Sequence, residues 1–264
     1  MATADTIVPR SARPDLRRLL LRHPELGPAA VVAAAWVTLL VLAAAGHGSA
    51  SAAGAGVMPG MAMDSSAAPR SAWAAAAGGI PSWVLMTVAM MGPAALAGVR
   101  HTGLNSLRWR RRRAMAEFSV AYIAVWAAFG ALVLATAAVV PGLSRPAALA
   151  TALAVAAAWQ LTPVKRRCLL ASHRSVPLPP RGWRAVQGAL GFGLRNGLSC
   201  VGSCGCLMLV MAVAPGGQLL WTAALTAAAT TEKLARRPRH ATQATAVLLG
   251  FATVATLAVG NLLR

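Results

Sequence analysis

Seven apolar segments, each near the thickness of a bilayer's hydrocarbon layer and separated by arginine-rich stretches, constrain this chain more than any other feature. They cover residues 28–45, 81–99, 118–140, 147–163, 198–214, 218–234 and 241–263. At roughly 1.5 Å of helix rise per residue, each reaches across most of a ~30 Å apolar layer. The expected fold is therefore all-α, a polytopic bundle of about seven transmembrane helices. No solenoid repeat is present.

Basic residues set the expected orientation. Arg10, Arg13, Arg17, Arg18 and Arg22 precede the first segment, and Arg100, Arg108 and Arg110 to Arg113 follow the second. Lys165, Arg166, Arg167, Arg174, Arg181 and Arg184 follow the fourth; Lys233, Arg236, Arg237 and Arg239 follow the sixth. On alternating crossings all of these fall on one side, which places the N-terminus in the cytoplasm and the chain in a cytoplasmic (inner) membrane. Residues 1–27 then form a basic cytoplasmic N-terminus and 28–45 the first helix. Residues 46–80 form a flexible outer loop containing Met and His, and 81–263 a six-helix membrane domain with basic cytoplasmic loops. The first segment is expected to be retained, because its lead of about 27 residues and its apolar run exceed those of a secretion signal. Residues 185–197, with four glycines beside Arg195 and Asn196, read as an interfacial or re-entrant stretch.

The net charge is +19, from 25 Lys and Arg against six acids. In a polar chain that would suggest nucleic acid. Here 57% of residues are hydrophobic and only 12% charged, so no polar domain is left to bind one. The lipid bilayer is the expected partner, with a periplasmic or membrane protein as a possible second.

Sulfur carries the chemical signal. Cys200, Cys204 and Met208 are each four residues apart on the fifth segment, so they share one helix face. Met86 and Met90, with Met91 beside them, form a second row on the second segment, just before Pro93. His47, Met58, Met61 and Met63 lie in or at the outer loop. Cys168 follows the fourth segment, and Cys206 points nearly opposite the Cys200 row. Thiolates and thioethers are ligands for soft ions such as Cu(I), so these residues are the candidate metal ligands, with copper as the expected ion. Methionine is also an adaptable packing residue, and Gly202 and Gly205 beside the cysteines suit a tight helix pair without any metal. Ordered from outside to inside, the donors pass from Met and His to Cys, an order suited to moving a soft cation inward. A structural zinc site is not expected, since loop Cys-x-x-Cys pairs are absent.

No spaced carboxylate pair, Ser-His-Asp set or phosphate loop is present, so an enzyme is not the first reading. Both lysines, Lys165 and Lys233, fall at cytoplasmic helix ends, as do Glu117 and Glu232, where each carboxylate is expected to pair with Arg or Lys. That position argues against a buried retinal Schiff base.

Several strings together resemble a bacterial family of integral membrane proteins described as metal-binding and of unknown function. They are Trp83-x-x-Met86-x-x-Ala89-Met90-Met91-x-Pro93, Tyr122 to Trp126, Trp159-Gln160-Leu161-Thr162-Pro163-x-Lys165-x-x-Cys168, Cys200-x-Gly202-Ser203-Cys204-x-x-x-Met208, and Glu232-Lys233. The family pattern has adjacent cysteines followed by Trp where this chain has Ser203, Cys204 and Gly205. The resemblance implies metal binding but no reaction. The leading expectation is a membrane protein that binds a soft metal ion for handling or transport. The alternative is a non-catalytic membrane subunit or assembly factor in which Cys and Met are incidental.

Overall fold

A computed structural model describes residues 25–49, 72–139, 145–174, 176–214, 218–235 and 238–262. Among these the chain is all helical. The elements are α1 (Leu26–Ser49), α2 (Ala72–Leu104), α3 (Arg111–Val139), α4 (Arg145–Gln160), α5 (Pro163–Ser172), α6 (Gly182–Val213), α7 (Gln218–Leu234) and α8 (Pro238–Leu262). Within the described residues each apolar segment falls mainly on one of these helices, although 147–163 runs past the end of α4 to the first residue of α5. Five of them, α1, α2, α3, α6 and α8, are long and apolar enough to cross a membrane, and the bent pair α4–α5 raises the number to six. The remaining segment is α7, which at 17 residues rises roughly 26 Å and carries Glu232 and Lys233 in its last turn.

Local sequence accounts for the bend. Pro163 cannot continue α4, and the preceding Thr162 is extended, with its side chain accepting the backbone N–H of Lys165 at 3.3 Å. The chain turns by 72° there and α5 starts afresh. By contrast α2 runs unbroken through Pro81 and Pro93; the Ala89 carbonyl, which Pro93 leaves without a helical N–H, accepts the indole N–H of Trp36 on α1 at 3.0 Å.

Helix α6 is the hub, packed against α2, α3, α4, α5 and α7. It corrects one expectation: residues 185–197 do not form a separate interfacial stretch but the first half of one continuous helix. Its glycines serve close approach. A Cβ at Gly193 would run into the backbone carbonyl of Phe118, and one at Gly197 would stand 3.0 Å from Val125 Cβ on α3. Small residues at these positions let two helix backbones meet. Entry into α6 uses Gly182 at φ +72°, a conformation that glycine adopts without strain.

The distribution of polarity is inverted relative to a soluble domain. Leu220, Phe251 and Val31 face outward at 78%, 71% and 59% exposure, while Lys165, Glu232, Gln160 and Ser203 are buried. An apolar exterior, with the buried charges paired inside an otherwise apolar core, suits helices in a lipid environment.

The glycine packing makes a direct comparison available. Gly193→Ala should overpack the α3–α6 contact and cost about 1–3 kcal/mol. Gly191→Ala, where an added Cβ meets nothing within 4 Å, should be neutral or slightly stabilising. Thermal unfolding of the two variants in detergent checks this; equal melting temperatures would refute the packing account.

Candidate functional site

Four helices converge on one sulfur atom. Cys200, in the middle of α6, is fully buried. Its Sγ accepts a hydrogen bond from Tyr122 Oη of α3 at 3.0 Å and another from Lys233 Nζ of α7 at 3.0 Å. Its own S–H points at Met91 Sδ of α2, 3.9 Å away. Cys204 lies one turn along α6 from Cys200, and Ser203 Oγ lies 3.5 Å from Cys204 Sγ. Both cysteines are free thiols.

The two rows of sulfur seen in the sequence thus meet. Gly98 of α2 faces Asn196 of α6, and Met91 faces Cys200, so the two helices run antiparallel. Met86 and Met90 on α2 therefore extend the contact in the same direction as Cys204 and Met208 on α6. All are at most 1% exposed and belong to one core, closed by Trp83, Trp126 and Met211. Trp83 is fixed there by donating to the Trp126 carbonyl at 2.9 Å.

The other cysteines lie elsewhere. Cys168 of α5 sits against Gly202, where an added Cβ would be 2.5 Å from its Sγ. Gly202 and Cys206 are four apart on the side of α6 turned away from Cys200, and Trp159 of α4 donates to the Gly202 carbonyl on that side at 2.9 Å. Cys168 and Cys206 are therefore separated from the Cys200–Met91 contact. The backbone of His47 closes α1; its side chain, with Met58, Met61 and Met63, lies outside the described residues. Among the described residues no three His, Cys, Asp or Glu side chains group as metal ligands. A soft-ion site here with three protein donors has to count thioether sulfur among them.

Lys233 and Tyr122 were not expected at this place. Both lysines lie inside the bundle, Lys165 fully buried and Lys233 9% exposed. Lys165 pairs with Glu232 at 2.6 Å and also donates to Gln160 Oε1, joining α5, α7 and the end of α4. Glu117 takes the expected role at the start of α3, paired with Arg110 at 2.6 Å and Arg113 at 3.0 Å. The sequence signal for the buried pair was the adjacency of Glu232 and Lys233 in a chain with few acids, whose burial needed the tertiary fold to be seen.

With this geometry in place, the relationship to known proteins is informative. The model of one family, PpoB2, described as a copper chaperone, matches residues 80–256. The chain belongs to the PpoB2 copper chaperone family. The matched region spans α2 to most of α8 and holds every residue around Cys200. No curated protein and no solved structure matches the chain.

The buried pair yields a stability cycle. Lys165→Met alone leaves Glu232 uncompensated and should cost about 3–5 kcal/mol, whereas Lys165→Met with Glu232→Met should cost distinctly less. Unfolding midpoints of the single and double variants decide it; a double variant as unstable as the sum of the singles would show that the pair is not coupled.

Proposed function

We propose that this protein is a polytopic protein of the cytoplasmic membrane that carries Cu(I) as cargo, held by the Cys200 and Cys204 thiolates with the Met91 thioether. The observation that carries the reading is the meeting of Met91 and Cys200 across α2 and α6, with the second thiol one turn away. Two thiolates and a thioether suit Cu(I), a soft ion content with few ligands. Membership of a copper chaperone family supports copper over other soft ions.

Charge supports the same assignment. Cu(I) between two thiolates leaves one net negative charge, expensive in a desolvated interior. The Lys233 ammonium, 3.0 Å from Cys200 Sγ, cancels it. The Lys165–Glu232 pair is already neutral and leaves that balance intact.

Met86, Met90 and Met208 then form a thioether track leading from the thiols toward the opposite end of the bundle, and His47, Met58, Met61 and Met63 a capture segment in the outer loop. Cys168 and Cys206 stand on the far face of α6 and are assigned no part in the primary site. With the basic ends of α2, α4 and α7 in the cytoplasm, the thiols lie toward the reducing side. The track would serve inward movement of copper.

Anaerobic Cu(I) titration of the detergent-purified protein against a competing chelator tests the site. About one Cu(I) per chain should bind, and the Cys200→Ser/Cys204→Ser variant should lose it while eluting and melting as the parent does. Met91→Leu should weaken binding by roughly tenfold, a loss of about 1.4 kcal/mol. Lys233→Met should also weaken it; tighter binding in that variant would show that the ammonium blocks the site. Full copper loading of the double cysteine variant would leave the sulfur incidental and point to a subunit or assembly role.

A further inference from the structure

A cavity of about 690 Å³ opens between α1, α2 and α3, with Tyr122, the hydrogen-bond donor to Cys200, on its inner wall. Its volume lies within the roughly 300–1,000 Å³ of ligand sites. Its walls are mostly apolar, among them Val31 of α1, Leu96 and Val99 of α2 and Phe118 and Ile123 of α3, with Thr87, Ser119 and Tyr122 the uncharged polar side chains. Arg108, Arg111 and Arg112 border it at the α2–α3 connection, and among the described residues no Asp or Glu lines it. An apolar slot with one cationic rim matches an amphiphile with an anionic head.

The nearby carboxylates are already engaged. Glu117 pairs with Arg110 and Arg113, and Glu25 at the foot of α1 lies 3.6 Å from Arg100. Among the described residues neither Arg108 nor Arg112 has a carboxylate partner. Arg111 is held in place by donating from Nε to the Gly103 carbonyl at 2.9 Å. The same rim is the N-terminal end of the 29-residue α3, whose dipole adds positive potential. Trp109, between the arginines in sequence, is 77% exposed, as befits a residue at headgroup level.

We propose that this groove holds an anionic glycerophospholipid, its phosphate on Arg108 and Arg112 and one acyl chain along α1, α2 and α3. Basic pockets between membrane helices recognise acidic headgroups through this combination. The inference rests on the membrane placement of the helices and is independent of copper.

The test is native mass spectrometry of the full chain, delipidated in nonionic detergent and offered equal amounts of phosphatidylglycerol and phosphatidylcholine. One phosphatidylglycerol should be retained with a preference of roughly thirtyfold, the scale expected from two arginines at about 1 kcal/mol each. Arg108→Gln/Arg112→Gln should bring the two lipids near parity. Ala116→Phe, at an exposed wall position, should exclude both lipids with the rim intact. Equal retention by the parent protein, or an unchanged preference in the arginine variant, overturns the proposal. Displacement of the bound lipid by low millimolar inorganic phosphate overturns it too, by assigning the rim to free anions. Cu(I) content measured in the same samples should stay constant, so failure here is distinct from failure of the copper site.

Discussion

Lys165 and Glu232, 2.6 Å apart and shut off from solvent, set the condition on which one end of this bundle depends. A lone charge in such a place costs several kcal/mol, so neither residue can be buried there without the other. Their pairing ties α5 to α7 through side chains alone, and the bend at Thr162–Pro163 turns α5 so that Lys165 points inward to meet Glu232. Gln160, on the last turn before the break, completes the contact through its amide oxygen. Neighbouring residues on a helix point about 100° apart. With Glu232 turned toward α5, Lys233 is turned to another side of α7, where it reaches Cys200. One helix end thereby serves two buried polar centres.

The second constraint is the closeness of α3 and α6. Glycines at 193 and 197 bring the backbone of α6 onto Phe118, Tyr122 and Val125, and that closeness lets Tyr122 Oη reach Cys200. Phe118 and Tyr122 stack at 6.2 Å between ring centroids, and Phe118 meets Phe192 of α6 at 5.2 Å. The aromatic packing and the tyrosine–thiol hydrogen bond thus share a single helix interface. A shift of α3 large enough to open the interface would remove the tyrosine from the sulfur as well.

Much of this was legible in the chain itself. Apolar runs locate helices because backbone groups in lipid must be satisfied within the segment, and the spacing of Cys200, Cys204 and Met208 shows their shared face. Which helices touch is a tertiary fact that local periodicity does not carry, so the approach of Met91 to Cys200 became visible only in the fold. The glycines at 185–197 misled for a related reason. Glycine weakens an isolated helix, but between two packed helices its missing side chain is what permits contact. The lysines misled through position: a residue at the end of a span can still be interior when another helix covers it. Seven segments likewise exceed the five or six helices of crossing length, because α7 is short and α4 ends at a proline.

The cation beside the sulfur also bears on which ion the site would prefer. An ammonium among metal ligands is at first sight a liability, since it repels any incoming cation. With two thiolates and the Lys233 ammonium, a monovalent ion brings the group to neutrality, whereas a divalent ion leaves one positive charge in a desolvated interior. Softness of the donors selects against zinc and other borderline ions only in part; the charge adds a second, independent discrimination in favour of a monovalent soft ion. The thioether at Met91 works in the same sense, because it adds a donor without adding charge. A third thiolate there would restore the preference for a divalent ion, so methionine at 91 and lysine at 233 form, on this reading, a single electrostatic design.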